Sequence, residues 1–73
     1  MIQLYEITTN VQTDINYIVS VCLKQGMTFS VIYNKVNRFP TCDISIHYNV
    51  TTSDADVITD MDENIKHKTY PQE

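Results

Sequence analysis

From Cys42 to Val50 apolar and polar residues alternate strictly, Cys42, Ile44, Ile46, Tyr48 and Val50 against Asp43, Ser45, His47 and Asn49. Successive side chains of a strand point to opposite faces, so this period predicts a strand with one buried and one wet face. Thr28 to Val36 places Phe29, Val31 and Tyr33 on one face and Ser30, Ile32 and Asn34 on the other, which predicts a strand just upstream. The segment between them, Asn37-Arg38-Phe39-Pro40-Thr41, is short enough for an antiparallel hairpin, with Pro40 removing a ladder donor at the turn. Ile2 to Thr9 is β-branched and aromatic with imperfect alternation, a pattern suited to a strand covered partly on both faces.

Two stretches change to a helical period. Ile15, Ile18, Val19 and Cys22 fall at i, i+3, i+4 and i+7, with Thr13 in the capping position, Asp14 in the first turn, Lys24 in the last and Gly26 after it. This predicts a helix over about Asp14 to Gln25. Tyr17, Val21 and Leu23 make more than one of its faces apolar, which keeps a strand as the competing assignment. Ser53-Asp54-Ala55-Asp56 has the spacing of a capping box, and Val57, Ile58, Met61 and Ile65 continue it as an apolar stripe. Lys66, His67 and Lys68 complement the C-terminal dipole, so a second helix is expected over Asp54 to His67. Thr69 to Glu73 reads as a flexible C-terminal tail after a single domain spanning residues 1–68.

The order β-α-β-β-α implies a small α+β domain, a three-stranded and mainly antiparallel sheet carrying two helices on one face. That order resembles a ferredoxin-like fold lacking its last strand, a likeness of architecture that implies no activity. Its short sheet leaves the first strand, Ile2 to Thr9, as an edge whose unpaired backbone groups suit a homodimer or a docked partner.

Composition supports the same class. Nine isoleucines, seven valines and nine threonines among 73 residues, against two leucines and one alanine, argue against an all-helical bundle. Residues 1–10 hold no basic run or apolar block of signal-peptide length, and no window approaches the 18 apolar residues of a membrane span, so a soluble, cytoplasmic protein with no membrane partner is expected. Cys22 and Cys42 lack any spacing typical of zinc ligands and read as buried thiols. With Gly26 as the only glycine, nucleotide-binding loops of the usual kinds are excluded and no cofactor is expected.

Charge is what singles out a candidate surface. The net charge is −4, and residues 43–73 hold seven carboxylates against two lysines. Asp56, Asp60 and Glu63 fall at i, i+4 and i+7 on the side of the second helix opposite its apolar stripe. Such a row serves as a solvated face, or it imitates a phosphate backbone for a basic nucleic-acid-handling protein. Asp60, Glu63 and His67 form an alternative ligand set for a metal, weaker than an ordinary i, i+4 ion pair. Arg38 and Phe39, beside Lys35, add a basic and aromatic loop fit for a protein contact. Asp43, Ser45 and His47 have the residue types of a hydrolytic triad, but neighbours two apart on a strand lie beyond hydrogen-bond reach, so no catalytic set is expected. Without a basic stripe, nucleic acid is not expected as a ligand.

The reading that follows is a non-enzymatic protein that binds and modulates, in the inhibitory sense, a host protein through Asp56, Asp60, Glu63, Arg38 and Phe39 or through an edge strand. Abundant Ile, Asn, Lys, Tyr and Asp point to an AT-rich genome, and the small chain to a phage or viral product acting in its host's cytoplasm. The alternative is a homodimeric regulator whose shared sheet binds a small ligand or DNA.

Overall fold

The structure is a computed structural model, and it describes residues 1–35, 40–68 and 70. Five elements follow one another: β1 (Ile2–Thr9), α1 (Gln12–Gln25), β2 (Thr28–Asn34), β3 (Thr41–Asn49) and α2 (Asp54–His67). The sheet order is β1-β3-β2, with both pairings antiparallel, so β3 is central and β1 and β2 are both edges. This is the split β-α-β arrangement, in which α1 carries the chain from one edge to the other.

Both pairings are unbroken in register: β1 runs from Ile2 opposite Asn49 to Thr9 opposite Cys42, and β2 from Thr28 opposite His47 to Asn34 opposite Thr41. One sheet face gathers Tyr5 and Ile7 of β1, Ile44 and Ile46 of β3, and Phe29 of β2 against the helices. The core is Ile18, Cys22, Met27, Ile44, Ile46, Ile58, Met61 and Ile65. The strict alternation of β3 thus does what it predicts, with Ile44 and Ile46 fully buried. β1 is covered on one face only: Tyr5, Ile7 and Thr9 are half-buried while Ile2 and Leu4 are exposed, because both helices pack on one side of the sheet.

Helix α1 starts two residues before the expected boundary. Thr13 is not its cap; Val11 is, with extended backbone and no side-chain hydrogen bond, and the Val11 carbonyl accepts the first helical bond from Ile15. Gly26 ends the helix at φ 75, and its N–H returns to the Cys22 carbonyl. This left-handed position is why the chain's one glycine sits there. Helix α2 has the expected bounds, but Ser53 makes no side-chain cap and the expected box does not form. Instead Thr52 Oγ1 accepts from the Asp54 N–H, and Gln25 Nε2 donates to Asp54 Oδ1 at 3.0 Å, tying the end of α1 to the start of α2. The helices are therefore antiparallel neighbours.

At their other end Lys68 forms an ion pair with Asp14, and the Tyr17 and Tyr70 rings lie with centroids 4.5 Å apart. Lys68 occupies the left-handed region at φ 55, the only non-glycine among the described residues to do so. No helix among the described residues is long and apolar enough to cross a membrane.

Candidate functional site

On a helix each residue advances about 100°, so the exposure pattern gives each flank a direction. Along α1, Asp14, Ile18 and Cys22 face the sheet, while Tyr17, Val21 and Lys24 lie on the flank toward α2. Along α2, Ile58, Met61 and Ile65 face the sheet, and Val57, Asp60 and Asn64 lie toward α1. The two flanks enclose a groove of about 520 Å³ on the outer side of the helix pair.

The floor of the groove is apolar, built from Val21, Val57 and the edge of buried Met61. Its rim is charged: Asp60 and Glu63 on α2, and Lys24 on α1. A hydrogen-bonded side chain stands at each end. Gln25, bonded to Asp54, stands at one end; Tyr17, whose hydroxyl accepts from Asn64 Nδ2 at 2.8 Å, stands at the other. These bonds fix the separation of the two helices and so keep the groove open.

Of the five residues expected to contact a partner, the structure brings Asp60 and Glu63 together on the rim. Asp56 is exposed on the same helix one turn before Asp60 and does not line the groove. Arg38 and Phe39 lie outside the described residues. Tyr17, Val21, Lys24 and Asn64 were not singled out as contact residues by their sequence; the signal for the first three is their spacing at i, i+4 and i+7, of which Tyr17 and Val21 were read only as part of a second apolar face and Lys24 only as a last-turn charge. Asp60, Glu63 and His67 are not gathered as ligands, and no group of three His, Cys, Asp or Glu side chains converges among the described residues. Asp43, Ser45 and His47 stay in a row along the open face of β3, with Asp43 accepting from Thr8 Oγ1 at 2.7 Å.

Two further carboxylates are structural. Asp62, on the flank of α2 away from α1, accepts from the Tyr5 hydroxyl at 2.7 Å and pairs with Lys66 at 2.9 Å. The Tyr5 bond first, and the Lys66 bond next, hold its pKa below the usual carboxylate range. Burial, then the same bond to Asp62, pushes the Tyr5 phenol well above its ordinary value. Asp14, expected only as a dipole-compensating residue, is 1% exposed beneath Lys68, with Oδ1 lacking a hydrogen bond among the described residues. Its position at i, with Ile18 and Cys22 at i+4 and i+8, is the sequence signal for that burial.

Compared with known proteins, the chain matches no family model, no curated protein sequence and no solved structure.

Proposed function

We propose that the chain is a non-enzymatic binding protein that holds a basic, amphipathic segment of a host protein in the groove between α1 and α2, and so modulates that host protein by inhibition. The observation that supports this most is the coincidence of an apolar floor, Val21 and Val57, with two carboxylates, Asp60 and Glu63, on one rim. Arginine and lysine side chains combine an apolar stem with a charged head, so they suit a site that is dry at its base and anionic at its lip. Asp56 extends the anionic row along α2 beyond the groove. The same reading makes the host cytoplasm the site of action, a phage or viral gene the source, and a nucleic-acid-handling enzyme a fitting target because such proteins display basic surfaces.

The test compares capture of partners from host lysate by the tagged protein and by its Asp56→Lys, Asp60→Lys, Glu63→Lys triple variant, with mass spectrometry of the bound chains. One dominant partner, lost with the variant and lost again with Val57→Asp, is the expected outcome. A dominant partner retained by both variants overturns the groove reading. The second reading, a regulator that takes a small ligand in this groove, draws support from its volume, which lies in the range of small-molecule pockets. A ligand that raises the melting temperature of the wild type and not of Val21→Trp is its expected mark.

A further inference from the structure

The side of the molecule away from α2 has a different character. Tyr5 of β1 reaches Asp62 on the flank of α2 that faces away from α1, so α2 lies toward the β1 edge and α1 toward the β2 edge. The outer flank of α1, Gln12, Ile15, Asn16, Val19 and Leu23, therefore stands on the same side as edge strand β2. Neither this flank nor Thr28–Asn34 contains a charged residue. Large apolar side chains are nonetheless open there: Leu23 is 69% exposed, Ile32 and Tyr33 60% each, and Val31 40%.

Backbone phase shows which groups of β2 are unpaired. The Val50 N–H donates to the Met1 carbonyl, and bonded pairs alternate along an antiparallel ladder, so the even residues of β3 bond toward β1. Its odd residues then bond to the even residues of β2. Phe29, Val31 and Tyr33 are left with their N–H and C=O groups turned to the open edge. Natural edge strands are usually guarded by a charge, a proline or a bulge, and Thr28–Asn34 has none of these.

We propose that β2 pairs with β2 of a second copy of this chain, antiparallel about a two-fold axis through Val31, to form one continuous six-stranded sheet. In that register Val31 faces the partner's Val31 and Phe29 faces the partner's Tyr33. Both pairings join outward-facing residues, so each exchanges both hydrogen bonds, and both keep like faces together. Ser30 meets the partner's Ile32 on the open face. A two-fold contact brings the same patch of two like-charged molecules together, so a chain of net charge −4 associates with itself best through a patch that carries no charge. The β1 edge fits less well. Its outward-facing residues include Glu6, and Asp62 of α2 lies on that side. A stable interface takes roughly 800 Å² from each partner, more than an edge strand supplies, so the exposed Leu23 flank of α1 belongs to the contact as well.

The inference is independent of the groove and is tested on the full chain by sedimentation equilibrium at about 100 μM, with amide hydrogen exchange as the local readout. The wild type is expected at twice its 8.5 kDa mass, with the Phe29, Val31 and Tyr33 amides protected. Val31→Pro removes an outward-facing donor without touching the ladder to β3, so a folded monomer is expected, as a proline is tolerated on the free side of an edge. Leu23→Glu changes an exposed helix position that the monomer does not use and is expected to weaken the dimer by about tenfold or more; it carries the test if Val31→Pro does not fold. A wild-type monomer at this concentration overturns the proposal. So does a dimer that survives Leu23→Glu, or one that Leu4→Pro on the β1 edge dissociates while Val31→Pro leaves it intact.

Discussion

Lys68 combines two opposed effects in one side chain. Its backbone sits in the left-handed region, which costs a side-chain-bearing residue roughly 1 kcal/mol relative to glycine, while its ammonium is the counter-charge of buried Asp14. Lys68→Ala keeps the backbone strain and strands the carboxylate, for an expected loss of about 1–3 kcal/mol, at the low end because the lysine itself is half in water. Lys68→Gly strands the same carboxylate but relieves the backbone, and should unfold at higher urea than Lys68→Ala by about 1 kcal/mol in free energy. The order of the two midpoints separates backbone from charge. Cysteine chemistry follows burial in the same local way. Burial raises the Cys22 thiol to about 11, so a thiol reagent at pH 8 should label half-buried Cys42 in the native protein and reach Cys22 only in denaturant.

Elements meet through a few polar contacts, and the clearest of these ties α2 to β1. Asp62 is held below the usual carboxylate range in the folded state, so its contribution is fully present at neutral pH and is lost as acid protonates it. Tyr5 is shifted upward, so its contribution is present below about pH 10 and declines as the phenol ionises in alkali. Tyr5→Phe should cost about 1 kcal/mol at pH 7, and its deficit should shrink between about pH 5 and pH 2 when melting curves of both proteins are compared. A gain is expected at the start of α1, where Val11 offers no side-chain acceptor: Val11→Ser or Val11→Asp supplies one to the first turn and should add about 0.5–1 kcal/mol in urea titration. That uncapped start explains a misplaced boundary. Thr13 has the right chemistry for a cap, yet Thr9 to Val11 already forms a turn, with the Val11 N–H donating to Thr9 Oγ1, and the helix begins from it. The interiors of elements were legible because burial enforces periodicity. The bounds of β1 and α2 were legible as well, but the caps were not, because side chains from elsewhere in the chain, such as Gln25 at Asp54, satisfy the helix ends.

For the whole molecule, the order β-α-β-β-α and the three-stranded antiparallel sheet with two helices were readable from spacing, most plainly in β3 and α2, where one apolar stripe faces the core. The candidate site was readable by half. Asp60 and Glu63 stood out as charge, but the groove that gives them a setting depends on which flank of α1 meets α2, a fact held by long-range bonds such as Asn64 to Tyr17. The central place of β3 also has a kinetic side. Its pairing with β2 closes a short loop near Asn34 and Thr41, whereas its pairing with β1 joins residues 33 to 47 apart in the sequence. Loop closure costs more over longer spans, and topology of this kind orders the steps of folding. The β2–β3 hairpin is therefore expected to form before β1 docks. During synthesis β1 is made well before its partner β3, so Ile2 to Thr9 waits unpaired until the far side of the hairpin has emerged.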